Sequence, residues 1–141
     1  MSHIATIKTA IKDLDAVKAV CAELGLEFNE GKNICTYYAS RTVPCTHTMS
    51  KPAFGRTEIG LVLQPDGSYS MVCDEMLMSR NNKETYNQKT WGQATNPLAN
   101  QFGGFMQRYA VCKTEIEARK KGWMTRRTTL GTKVQVHVTG M

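Results

Sequence analysis

The chain has 141 residues, 41% of them hydrophobic, and a formal net charge of +6. That length suffices for one ordinary core, and the hydrophobic content is normal for a soluble globular protein. No apolar run approaches the ~18–20 residues needed to cross a bilayer. The opening MSHIATIKT also lacks the basic and apolar regions of a secretory leader. The expectation is a cytoplasmic protein with no membrane partner.

The positive charge is unevenly spread. After Glu117 there is no acid, whereas Arg119, Lys120, Lys121, Arg126, Arg127 and Lys133 all follow it. Over the rest of the chain, the acids cancel the bases. An excess confined to one segment points to an anionic partner, whether nucleotide, nucleic acid or acidic protein face, or else to a solubilising surface.

Residues 2–9 read as a first strand, from their β-branched residues and partial alternation. Asp13 caps a helix that Gly25 ends, with Leu14, Val17, Val20, Cys21 and Leu24 as its apolar stripe. A short strand is expected near Leu26–Asn29. In 30–56, NICTYYAS is compatible with a strand. RTVPCTHTMSKPAFGR, with two prolines and many hydroxyls, reads mostly as loop.

TEIGLVLQPDGSYSMVCDE is a hairpin about a P-D-G turn. Pairing Gln64 with Ser68 sets Leu63 opposite Tyr69, Leu61 opposite Met71 and Ile59 opposite Cys73, six residues on one core face. A long polar loop follows at about 79–96, holding Tyr86 and Trp91. Asn96-Pro97 opens a second helix whose stripe is Leu98, Phe102, Phe105, Tyr109, Cys112 and Ile116. Lys120, Lys121 and Gly122 close it. A last hairpin turns at Leu130-Gly131, with Val134, Val136 and Val138 on one face and Lys133, Gln135 and His137 on the other.

This order predicts a single α+β domain over 1–141. It would be a mainly antiparallel sheet with two helices packed on one face, ferredoxin-like in outline.

Five scattered cysteines contain no C-x-x-C pair and suggest neither a disulfide framework nor a metal centre. Cys45 and His47 are the nearest thing to a ligand pair. No cofactor is expected. The three histidines fall in different elements, and no phosphate-loop, dinucleotide-turn or zinc-helix motif is present. Asp74 and Glu75 end a strand, where active-site acids often sit, but a charged strand end entering a loop accounts for them. No catalytic residue is assigned, and the expectation is a protein that is not an enzyme.

MSHIATIKTAIKD at the start, EIGLVLQPDGSYSMVCDE in the middle and QRYAV in the last helix occur in order and spacing. Together they resemble the chloroplast conserved reading-frame thirty-five family, a domain of unknown function found in plastids, cyanobacteria, other bacteria and phages. The resemblance implies a plastid, bacterial or phage-infected setting. It also implies an accessory or adaptor role, because some members are encoded near an AAA-type ATPase. It carries no catalytic residue. The chain departs from the family in its longer 79–96 loop and additional cysteines.

Three functional readings follow. The first is a non-catalytic binder of a nucleotide-like anion, in a phage setting one that sequesters a nucleotide immune signal. Arg108, Arg126, Arg127 and Arg56 would supply phosphate forks, Gly104 a close backbone approach, and Trp91 or Tyr86 a stacking ring. The second is an adaptor for an AAA-type ATPase or another protein, or a self-pairing homo-oligomer. The third is nucleic-acid binding along the basic tail. Gly103 and Gly104 next to Arg108 either allow another element to pack close or open a notch for an anion.

Overall fold

The structure, a computed structural model, describes residues 4–37, 41–52, 55–74, 99–130 and 133–140. It is α+β, as expected, with two helices among the described residues and strands that all pair antiparallel. The chain divides into two compact units. The first holds residues 1–12 and 21–83, and the second 13–20 and 84–141.

The first unit is built on a five-stranded sheet. Its strands are β1 (Ile4–Ile11), β2 (Glu27–Asn29), β5 (His47–Ser50), β6 (Ile59–Leu63) and β7 (Tyr69–Asp74), in the order β1-β7-β6-β5-β2. A separate small hairpin joins β3 (Ile34–Thr36) to β4 (Thr42–Pro44). The β6–β7 pairing is the expected one. Gln64 N–H donates to the Ser68 carbonyl at 2.7 Å, Leu63 faces Tyr69 and Leu61 faces Met71.

Two expectations are corrected here. The stretch 41–56, expected to be mostly loop, supplies two strands, β4 and β5. His47, Thr48 and Met49 of β5 are all buried, and their backbone groups find partners only by joining the sheet. Leu63 is not in the core. It is 51% exposed, at the turn end of β6 where the sheet runs out.

Period-two alternation gives the sheet two unlike faces. Met49 pairs with Ile59, and Leu61 with Met71, so these fully buried side chains share one apolar face with Cys73. The opposite face carries Gly60, Ser70, Val72 and Asp74, and it is buried too. The β3–β4 hairpin covers part of it at Gly60. A Cβ built on Gly60 would lie 2.7 Å from Val72 Cγ2 and 3.0 Å from Cys35 Cβ. Only glycine lets the hairpin come that close to the sheet.

Helix α1 (Leu14–Leu24) starts where the Asp13 carboxylate accepts from the Asp15 and Ala16 N–H groups at 2.9 and 3.3 Å. It stops at Gly25, whose φ is +69°. In the second unit, α2 (Ala99–Lys120) buries Phe105, Tyr109 and Cys112, as its stripe predicts. Ile116 is half-buried, and Leu98 and the Phe102 side chain lie outside the described residues. The Tyr109 hydroxyl accepts from the Asp13 N–H at 3.0 Å, tying α2 to the start of α1. The helix ends at Gly122 with φ +76°, where Trp123 N–H donates to the Ala118 carbonyl. The last hairpin pairs β8 (Met124–Leu130) with β9 (Lys133–Thr139).

Replacing Gly60 with Ala should cost about 1–3 kcal/mol of folding free energy, because the new methyl overpacks the seam between Val72 and Cys35. Urea unfolding checks this, and an unchanged midpoint would show that the hairpin does not lie that close.

Candidate functional site: the outer face of the last hairpin

Alternation along β8 sends neighbouring arginines to opposite faces. Arg127 turns to α2. Its Nε and Nη2 donate to the two Glu115 carboxylate oxygens at 2.9 and 2.6 Å, and Nη2 lies 3.6 Å from Cys112 Sγ. Arg127 and Glu115 thus form a two-pronged charge-assisted fork. The partner of Arg127 across the ladder is Val136, flanked by the Thr125–Val138 pair, so this is the face toward the helix.

Arg126 therefore points the other way. Directly across from it is His137, and the next pair on the same face is Met124 with Thr139. All four are exposed, Met124 to 76%. Together with Thr125 they line an open concavity of about 350 Å3. Arg119, Lys120 and Lys121 are exposed just before β8, and the Lys121 ammonium sits 4.7 Å from the centroid of the Trp123 ring. The basic excess read from the sequence thus divides. One arginine is held by Glu115, and Arg119, Lys120, Lys121 and Arg126 are exposed to solvent.

The remaining candidate residues distribute as follows. Gly104 is buried inside α2. Arg108 is half-buried and already takes part in an interaction. Arg56 is exposed in a turn of the first unit. Tyr86, Trp91 and the polar stretch 79–96 that holds them lie outside the described residues. Of the expected set, Gly104 and Arg108 share α2, and Arg126 and Arg127 share β8, where they stand back to back. His137 joins the site as the cross-strand neighbour of Arg126. His137 lies on the face away from the valines, as the alternation predicts, and no role for it follows from the sequence.

A second polar constellation was not foreseen. Glu58 is buried, and its carboxylate accepts from Lys32 Nζ at 2.7 Å, the Thr48 hydroxyl at 3.0 Å and the Thr36 N–H at 3.1 Å. Asn29 Nδ2 donates to the same Thr48 oxygen, and the Cys35 thiol donates to the Glu58 carbonyl. Nearby, His47 Nδ1 accepts from the Gly31 N–H at 2.9 Å, with Phe28 and Tyr69 against its ring. Burial pushes the Glu58 carboxyl up, but the hydrogen bonds from Lys32, Thr36 and Thr48 outweigh it and leave the carboxyl below its ordinary value. Each partner comes from a different segment: the 29–33 turn, β3 and β5. The cluster is a clamp holding those segments on the sheet.

Burial pushes the thiols of Cys21 and Cys35 up to about 12, so both stay protonated at neutral pH. Among the described residues, no group of three His, Cys, Asp or Glu side chains could hold a metal ion, and Cys45 and His47 do not form one. Asp74 is fully buried, not a solvated strand end, and Glu75 lies outside the described residues.

Because the Glu58 pKa is lowered on folding, its stabilisation is present above the unfolded-state value and is lost as pH falls through the folded value. Stability should therefore decline below about pH 4.5, and Glu58→Gln should flatten that decline while costing about 1–2 kcal/mol at neutral pH. Unfolding free energies measured from pH 3 to 7 check both. A double-mutant cycle on Arg127 and Glu115 should give a coupling of about 0.5–1 kcal/mol, since the fork is partly exposed. A coupling of zero would mean that the fork does not form in solution.

No protein-family model matches this chain, and neither a curated protein nor a solved structure matches it. The site is assigned from its own geometry.

Proposed function

We propose that the chain is a non-catalytic binder of a nucleotide-like, phosphate-bearing ligand, and that the ligand lies on the outer face of the β8–β9 hairpin. The observation that carries this reading is the pairing of Arg126 with His137 across an open concavity, on the one segment that holds the whole charge excess. A guanidinium fork offers two parallel N–H groups to phosphate, and the imidazole adds a third donor beside it. Met124 gives an exposed, polarisable surface on which a base can rest.

The exposed run Arg119, Lys120 and Lys121 favours a second reading, in which the phosphates belong to a nucleic-acid strand. The two differ in salt dependence. A strand neutralised by several bases loses affinity steeply with salt, whereas a mononucleotide held by one fork loses less.

Calorimetry against linear and cyclic nucleotides and a single-stranded oligonucleotide, each at two salt concentrations, tests both. Arg126→Ala should weaken binding about tenfold, corresponding to the loss of one charge-assisted hydrogen bond. If no nucleotide or oligonucleotide binds at micromolar concentration, or if Arg126→Ala binds as the parent does, the proposal fails.

A further inference from the structure

A second concavity, of about 320 Å3, lies in the first unit where the β6–β7 turn meets β1. Thr9, Gln64, Pro65, Asp66, Ser68 and Ser70 line it. The site is independent of the hairpin face described above and has the opposite polarity.

The backbone shapes it in two ways. The pairing of β1 with β7 shifts register between Lys8 and Ile11, a bulge that sets Thr9 beside the turn. The turn itself is closed by Asp66, whose Oδ1 accepts from the Ser68 N–H at 2.9 Å and the Ser68 hydroxyl at 2.6 Å.

The Thr9 hydroxyl donates to the Tyr69 carbonyl and accepts from the Ile11 N–H. The Ser68 hydroxyl is spent on Asp66. Gln64 Nε2 donates to the Val62 carbonyl at 3.2 Å. Among the described residues, three functions in the wall then have no bond to another residue: Asp66 Oδ2, Gln64 Oε1 and the Ser70 hydroxyl. Ser70 as a residue is only 3% exposed, and it lines the cavity.

Two of these three can only accept, and one of them carries a full negative charge. The third can accept or donate. The Thr9 and Ser68 hydroxyl donors are used, and Gln64 Nε2 spends one of its two N–H groups on Val62. Such a set repels phosphate and carboxylate and complements a group with several N–H donors and a positive charge. A single carboxylate with neutral oxygens is too little charge for a dedicated divalent-cation site. Lys12 is close enough to act electrostatically on Asp66, so an incoming cation competes with an ammonium of the chain itself.

We propose that this concavity is a binding site for an alkylammonium group, held by Asp66 at the rim, Gln64 on the wall and Ser70 at the floor. The ammonium can belong to a free diamine or to a lysine side chain of a partner peptide.

Amide NMR of the full chain titrated with 1,4-diaminobutane, with a short lysine-containing peptide and with 1,4-butanediol tests the proposal. The amines should shift the Gln64, Ser68 and Ser70 amides saturably, and the uncharged diol should not. Saturation by the diamine alone identifies a free amine as the ligand. Binding of the peptide at least tenfold tighter identifies a lysine of a partner. Asp66→Asn keeps the oxygen that closes the turn but removes the charge, and it should weaken amine binding at least tenfold. Ser70→Ala should weaken it severalfold, with the remaining spectrum unchanged. Absence of shifts with both amines, equal shifts with the diol, or undiminished binding by Asp66→Asn would overturn the proposal.

Discussion

The fork between Arg127 and Glu115 decides which face of the last hairpin meets the helix. A β-ribbon has two faces related by a one-residue step, so fixing one side chain fixes all the others. With Arg127 held on Glu115, Val136 and Val138 stay on the helix side, and Arg126 and His137 must face out. The fork is worth little as a source of stability, because it is partly exposed. Its value lies in orientation: it directs one arginine to the helix and leaves its neighbour facing solvent.

The first unit solves a different problem. Its sheet buries both faces, one with aliphatic side chains and one beneath a small hairpin. The second face includes serine, threonine and aspartate, so it can be covered only if its polar groups are paired. Glu58 does this for three segments at once, and Gly60 removes the Cβ that would hold the hairpin away. The uncovered end of that face, at Ser70, becomes the floor of the acceptor-lined concavity.

The sequence made some of this legible, and the reasons are local. The β6–β7 pairing was readable because a P-D-G turn and strict alternation act over adjacent residues, and the α1 cap and both helix ends were readable for the same reason. β5 was missed because THTMS has the composition of a loop. Its strand character comes from pairing with β2 and β6, reinforced by Asn29 and Glu58, which lie 19 and 10 residues from the Thr48 they engage. Lys32 and Glu58 are 26 residues apart, and no spacing rule connects them. Leu63 fitted the core pattern and still faces solvent, because periodicity gives the face of a strand but not where the sheet ends. At the candidate site, the sequence isolated the basic segment and both arginines. It could not tell Arg126 from Arg127, since that difference depends on a glutamate one helix away.

The central claim is that one of two adjacent arginines is structural and the other binds the ligand. Arginine side-chain NMR reads both at once. On titration with ATP or a single-stranded oligonucleotide, the Arg126 Nε–H and His137 ring signals should shift together, while the Arg127 Nε–H signal stays where its bond to Glu115 puts it. A shift confined to Arg127, or the same shift at both arginines, would contradict the account.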